Sequence, residues 1–587
     1  MTLHQENLNI LWGSLIIEEL IRNGIDYFCI SPGSRSTPLT VAVARHPKAK
    51  TVVIYDERAA AFHALGYGRG RRKPAVLICT SGTAIANYAP AVVEAAMDYV
   101  PLIVISADRP AEKIETGANQ TIRQSKFFGD YVRWQFDLPS PNEEIYPEMV
   151  LTTVDHAVHQ AISDPMGPVH LNCHFREPLA PIFREISAGY LDKLKPWKSQ
   201  EIPYTVYSVA RKSAMNSELD RFAGIMNASS KGLVVVGRLK SPEERQAVQS
   251  LSLKLGWPVF ADILSGLRLG NQQANLITYF DLMLLAENMH EKFKPDTILH
   301  LGEQTASKRF LQFVEKVRPP NYLMVSSHSF RSDPTHRVSW RLVYHLAEFC
   351  KVMEERIRPQ PDIDWLHYLK ELSQKVSFLI DKEMKKKPDL NEPGVSRMLS
   401  ELIPSSQLLF LANSLPIREM DMFGCSTGEK IRIAANRGVS GIDGTISTAL
   451  GFAKALERPT TLLIGDLAFL HDLNSLAMLP GITVPLIIVL INNGGGGIFS
   501  FLPISQFQDV FEPFFGTPHT LTFEHAAALF KLDYSTPQNM SEFKKIYQSA
   551  IQKKSSMLIE VKTERQGNLD FHMKLYHEII ALLEKKH

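Results

Sequence analysis

Cysteine is scarce. The 587 residues hold five, at positions 29, 79, 173, 350 and 425, and no two are close enough for a CxxC pair. That pattern argues against a disulfide scaffold or a thiolate zinc site and points to a reducing compartment. Long apolar runs are missing too: none approaches 18 uninterrupted residues, so no membrane span is expected. Neither charge sign dominates. Sixty-four Lys and Arg against 62 Asp and Glu leave +2, a balance that directs the chain to neither nucleic acid nor an anionic membrane. A short basic run, Lys385 to Lys387, reads as the solvated end of a charged helix from about Asp362 to Lys387. The opening MTLHQENLN has no basic stretch followed by an apolar one, so the expectation is a cytoplasmic protein without a signal peptide. No GxGxxG follows a first strand and no GxxxxGK[ST] occurs, so dinucleotide and P-loop readings lack their motifs.

What is present is the composition of a soluble globular chain, 45% hydrophobic and 21% charged, long enough for three or four domains. Its apolar runs are short, rich in Val and Ile, and end in small or polar residues. DYFCI precedes SPGSRS, AVLIC precedes TSGTA, and PLIVISA precedes DRP; stretches with helical spacing separate them. Continuous rather than alternating apolar strands between helices predict parallel sheets covered on both faces. The same pattern restarts at Gly232 and again near Glu392. It gives an α/β fold of three doubly wound domains, with boundaries at 1–187, 205–360 and 385–587. Pro178 to Tyr204, with four prolines and several charges, reads as a linker.

In open parallel sheets ligands bind at the carboxyl ends of the strands. TTLLIGD places Asp466 at one such end, and PLIIVLINNGGGG places Asn493 at the next, 27 residues on. A carboxylate and an amide oxygen at one sheet edge suit a hard cation such as Mg²⁺. A main-chain carbonyl of the glycine run would add a third oxygen, with phosphates and water completing the shell. Gly494 to Gly497 allow backbone to approach a diphosphate closely.

GD followed by NN at this spacing resembles the diphosphate–Mg²⁺ motif of the thiamin diphosphate enzymes, a superfamily built from pyrimidine-binding, central and diphosphate-binding α/β domains. The resemblance implies thiamin diphosphate with Mg²⁺, or Mn²⁺, as cofactors. Asp466, Asn493 and Gly495 would be the metal residues. Glu57, in YDERAAAFHALGYGRG, would be the buried catalytic carboxyl that bonds the cofactor's aminopyrimidine and moves its proton. Ile442 would be the apolar wedge under the cofactor, and Ile498 and Phe499 would line the same cavity; core packing is the competing reading of all three.

SPGSRSTPL, SGTAIANYAPAVVEA, ADRP, GANQTI and NRGVSGIDGTISTALG occur in order. Together they resemble the MenD branch of that superfamily, the menaquinone-pathway carboligases. The similarity runs over nearly the full chain and is weakest from about Leu191 to Lys294. The metal motif reads GDL where the wider superfamily has GDG, a feature shared within this branch. The implied reaction is decarboxylation of 2-oxoglutarate and addition of the succinyl carbanion equivalent to isochorismate, in a homodimer or homotetramer with sites at the subunit interface. Both substrates are dianions, which suits arginine forks. Ser414, Arg418 and Arg437 would face the 2-oxoglutarate-derived group, with Ser414 also near the cofactor. Ser34, Arg35, Arg109, Gln120 and Lys308 would face isochorismate, with Arg309 the alternative to Lys308. His174 stands where relatives commonly have proline and is expected to alter only a turn. His471 lies near the metal loop, with a structural role favoured over acid–base work. A decarboxylase or acetolactate-synthase relative is the second enzymatic reading; its small monoanionic substrate would not need four loop arginines. A non-catalytic binding subunit would have no need of Glu57, Asp466 and Asn493, and an NAD- or FAD-dependent oxidoreductase comes last.

Overall fold

A computed structural model describes residues 3–386 and 389–585; Lys387, the last residue of the basic run, and Pro388 lie outside the described residues. Contacts gather the chain into two compact units. One holds residues 1–210, 436–458 and 468–484; the other holds 211–435, 459–467 and 485–587.

The first unit carries a six-stranded sheet. Its strands are β1 (Tyr27–Ile30), β2 (Lys50–Val53), β3 (Ala75–Cys79), β4 (Leu102–Asp108), β5 (Trp134–Leu138) and β6 (Pro168–His174), in the order β2-β1-β3-β4-β6-β5. Every pairing is parallel. The inner strands β1, β3 and β4 are buried at every position, which is why they read as unbroken apolar runs. Strand β5, WQFDL, escaped the sequence reading because it is an edge strand, half-exposed and mixed in polarity.

Pro178 to Tyr204 is not a plain linker. It forms short helices at Ala188–Asp192 and Lys195–Lys198, and Tyr190, Leu194 and Trp197 are buried in the same core as Trp12 and Leu20. Trp12 Nε1 donates to the Tyr190 hydroxyl at 2.8 Å, Trp197 Nε1 donates to Glu19 Oε2 at 2.7 Å, and the Arg22 guanidinium lies over the Trp197 ring. Three large side chains scattered among prolines and charges are enough to tie the segment down as a strap. Elsewhere in this unit, helix Glu57–Arg71 meets helix Thr445–Leu456 with almost no side chain between them. A Cβ on Gly66 would sit 2.1 Å from the Thr448 carbonyl oxygen, and one on Gly451 would sit 2.0 Å from that of His63. Glycine is required at both crossing points.

The second unit carries two sheets. Strands β7 (Gly232–Val236), β8 (Val259–Ala261), β9 (Thr297–Leu301), β10 (Asn321–Ser326) and β11 (Trp340–Val343) run in the order β11-β10-β9-β7-β8. Strands β12 (Leu408–Leu411), β13 (Arg432–Ala434), β14 (Thr460–Gly465), β15 (Leu486–Asn492), β16 (Asp533–Ser535) and β17 (Met557–Lys562) run in the order β13-β12-β14-β15-β17-β16. All these pairings are parallel as well. The short edge strands β11 and β16 also went unread. The charged helix spans Ile363–Lys386 and buries Trp365, Leu369, Leu372, Val376 and Ile380, a stripe at helical spacing, in a core shared with Phe571, Leu575 and Ile579. Among the described residues no helix is long and apolar enough to cross a membrane.

Candidate active site

In the second unit, β12, β14 and β15 are neighbours, with Leu411 beside Leu463 and Gly465 beside Ile491. Ser414, Asp466 and Asn493 therefore leave the sheet at one edge, each just past the carboxyl end of its strand. Asp466 is 3% exposed and opens the helix Asp466–His471. Its Oδ1 accepts from the Leu467 N–H at 2.7 Å and its Oδ2 from the Gly495 N–H at 3.0 Å. Burial pushes the Asp466 carboxyl above its ordinary range, opposed by those backbone N–H groups and by His519. His519 Nε2 lies 3.3 Å from Asp466 Oδ2, and its Nδ1 accepts from the Leu521 N–H, which leaves the ring proton on Nε2.

The Asn493 amide donates from Nδ2 to Glu392 Oε1 at 3.0 Å, while its Oδ1 is buried without a hydrogen-bond partner. Gly494 and Gly495 have φ of +73° and +142°, and a Cβ on Gly495 would sit 2.2 Å from the Gly516 carbonyl oxygen. Only glycine fits there. The Gly495 carbonyl takes the Gly497 N–H at 2.9 Å and keeps a second lone pair. A buried carboxylate beside an orphaned amide oxygen fits a hard divalent cation. Asp466, Asn493 Oδ1 and the Gly495 carbonyl would hold it.

Around this edge, Ser414 has φ +72° and starts the helix Leu415–Phe423. The exposed Arg418 donates from Nη1 to the Ser414 carbonyl at 2.6 Å. Ile498 and Phe499 are half-buried in the turn Gly497–Phe501, the Phe499 ring edge-on to Phe515. Lys308 is exposed at the start of helix Lys308–Val317. Its rival Arg309 is already committed: it pairs with the Asp281 carboxylate and lies over the Tyr576 ring.

The first unit assembles a second group. Arg35 follows β1, Ser81 follows β3 and Arg109 follows β4, again adjacent strands of one edge. Arg35 is buried, donating from N to Thr80 Oγ1 at 3.2 Å and from Nη1 to the Phe175 carbonyl at 3.0 Å, with Glu177 Oε1 3.3 Å from Nη2; Nε has no partner. Ser34 beside it is exposed. The Arg109 guanidinium donates to the Asn119 carbonyl at 3.0 and 3.2 Å. Gln120, at φ +54°, exchanges hydrogen bonds with Ser81, Nε2 to its carbonyl at 3.0 Å and its own carbonyl from Oγ at 2.9 Å. Glu57 opens its helix behind the N-cap Asp56 and is half-buried rather than buried, accepting from Asn87 Nδ2 at 3.4 Å. Ile442 is 38% exposed, so it is no ordinary core residue. Arg437 is half-buried, and Glu94 fastens the next turn by accepting from the Gly438 and Val439 N–H groups, both at 2.8 Å.

Two residues set aside in the sequence prove to be placed. His174 does more than alter a turn: its Nδ1 lies 2.5 Å from the Arg109 carbonyl, in a network with Asn172 and Asp108. His471 meets Arg58, its carbonyl accepting from Arg58 Nη2 at 2.8 Å and its ring 3.2 Å from Nη1. Sequence reasoning missed Glu392 and His519, which sit in none of the quoted motifs, and Asn87, which lies inside SGTAIANYAPAVVEA without being singled out; NEPG before Val395 signals only a helix start.

Three family models match in order: the N-terminal TPP binding domain of thiamine pyrophosphate enzymes over residues 12–127, their middle domain over 188–411, and their C-terminal TPP binding domain over 423–561. Curated relatives called 2-succinyl-5-enolpyruvyl-6-hydroxy-3-cyclohexene-1-carboxylate synthase match nearly end to end. The one from Rubrobacter xylanophilus is 45% identical over 97% of this chain and 98% of its own. Those from Pelodictyon phaeoclathratiforme and Salinibacter ruber are each 43% identical over 99% of this chain, covering 97% and 98% of their own lengths. With that identity over that length, and with the three domains in order, the chain belongs to the 2-succinyl-5-enolpyruvyl-6-hydroxy-3-cyclohexene-1-carboxylate synthase family of thiamine pyrophosphate enzymes.

Proposed function

We propose that this chain decarboxylates 2-oxoglutarate and adds the succinyl unit to isochorismate, giving 2-succinyl-5-enolpyruvyl-6-hydroxy-3-cyclohexene-1-carboxylate for menaquinone synthesis. It is a transferase dependent on thiamin diphosphate and Mg²⁺, with Mn²⁺ as an alternative, and it works in the cytoplasm. The observation that carries the reading is 45% identity across nearly the whole chain to a relative of that name. Its domains run 1–187 (pyrimidine-binding), 205–360 (central) and 385–587 (diphosphate-binding), and two copies share each active site in a homodimer or a tetramer built from it.

Bound thiamin diphosphate supplies an electron sink for the charge left when carbon dioxide departs. The chain's residues do the rest. Asp466, Asn493 and Gly495 hold the cation that neutralises the diphosphate. Glu57 would hold and return the aminopyrimidine proton, and Ile442 would support the cofactor, with Ile498 and Phe499 lining the cavity. Ser414, Arg418 and Arg437 take the carboxylate of the 2-oxoglutarate-derived group. Ser34, Arg35, Arg109, Gln120 and Lys308 take isochorismate; Lys308 suits that role better than Arg309, whose fork is occupied by Asp281. The test supplies purified chain with both cofactors and both substrates, following isochorismate absorbance and carbon dioxide together. Equal loss and release are expected. Carbon dioxide without isochorismate loss would reduce the protein to a decarboxylase.

A further inference from the structure

We infer that Glu392 is a positioning residue for the cation site, holding the Asn493 amide so that Oδ1 faces the cation. The inference rests on the reading of Asn493 as a cation ligand. An asparagine amide has two nearly isosteric ends, and only the oxygen can ligate a cation. Rotation by half a turn would present N–H groups to a positive charge. Something must choose the end, and at Asn493 one contact does so: Nδ2 donates to Glu392 Oε1 at 3.0 Å, leaving Oδ1 buried and unpartnered.

The acceptor is itself fixed. Glu392 is 2% exposed, in the first turn of helix Glu392–Leu402, whose N-cap Asn391 accepts from the Gly394 N–H at 2.8 Å. Thr563 Oγ1 donates to the same Oε1 at 3.1 Å. Thr563 follows β17, the strand beside β15, and its N–H donates to the Asn492 carbonyl at 3.0 Å. Two donors from adjacent strand ends thus converge on one carboxyl oxygen brought in by a helix 101 residues away in sequence. Partners of this kind, behind a metal ligand, orient it and set affinity.

Manganese is the probe, titrated into the full chain with thiamin diphosphate, with free Mn²⁺ read by electron paramagnetic resonance. Glu392→Met keeps the volume and removes the acceptor, so Mn²⁺ affinity should fall about 10–100-fold. Glu392→Gln keeps a side-chain carbonyl and should bind close to the parent. Asn493→Ala serves as reference. If it binds Mn²⁺ as the parent does, the cation reading itself fails; if it weakens while Glu392→Met does not, only the positioning role is overturned. A Gln variant as weak as the Met variant would also overturn it, since charge rather than the acceptor would then matter. Should Glu392→Met fail to fold by circular dichroism, Thr563→Val carries the test: losing the O–H that pins Oε1 should weaken Mn²⁺ binding in the same direction, and unchanged affinity overturns the role.

Discussion

Asp466 is the only carboxylate proposed to touch the cation, and burial already works against its charge. Asp466→Ala should therefore lower thiamin diphosphate affinity sharply while leaving the fold intact, because the residue stands at a strand end. Calorimetry showing unchanged cofactor binding would refute the metal role. Glu57→Gln keeps the side-chain shape but cannot cycle a proton, so kcat should drop about 10²–10⁴-fold with the cofactor still bound. Near-normal turnover would remove Glu57 from the mechanism. His63 gives a pH prediction. It is fully buried, its Nε2 lies 2.9 Å from the Tyr27 hydroxyl, and burial pushes its pKa down from 6.5 to about 3. The folded chain keeps this ring neutral while the unfolded chain protonates it below about 6.5, so stability is lost as pH falls from there toward 3. At pH 5 the loss approaches about 2 kcal/mol. His63→Gln should lack that loss. Denaturant midpoints at pH 7 and pH 5 should move less in the variant than in the parent, and equal movement would show that His63 is not the source.

Helices Glu57–Arg71 and Thr445–Leu456 cross backbone to backbone, and that crossing depends on two missing side chains. Gly66→Ala would drive a methyl to 2.1 Å from the Thr448 carbonyl oxygen. Overpacking of this kind costs about 1–3 kcal/mol, so Tm should fall by several degrees. Gly224→Ala is the contrast: it lies in helix Asn216–Ala228 with nothing within 4 Å of an added Cβ. That change should be neutral or stabilise by about 0.4–1 kcal/mol. A Gly66→Ala protein that melts with the parent would mean the helices can slide apart at no cost. The strands divide on the same principle. β1, β3, β4 and β15 lie inside their sheets and are apolar on both faces, whereas the unread β5, β11 and β16 are edge strands with one flank open to solvent.

For the whole molecule, the proposed shared site makes a prediction that no single-chain site makes. Glu57→Gln and Asp466→Ala proteins, each inactive, are mixed under conditions of subunit exchange. In a mixed dimer one site carries both defects and the other carries neither. With equal amounts and random exchange, half the dimers are mixed and half their sites intact, so about a quarter of parental activity should return. If both groups came from one chain, every site would keep a defect. No recovery despite exchange proven by mass spectrometry would end the shared-site proposal.

The sequence by itself determined the α/β class and the inner strands of all three parallel sheets, because a strand buried on both faces must be apolar at each position. It also determined that Asp466 and Asn493 stand at strand ends, since the punctuation GD and NNGGGG is local. Tertiary structure alone decided what surrounds them. Glu392 and His519 reach Asn493 and Asp466 from distant elements, Arg309 is spent on Asp281 while Lys308 is exposed, and Pro178 to Tyr204 is a packed strap instead of a free linker. The physical reason is one of range. Burial on both faces of a strand writes a continuous pattern along the chain, whereas a hydrogen bond between residues 101 apart imposes no periodicity on either segment.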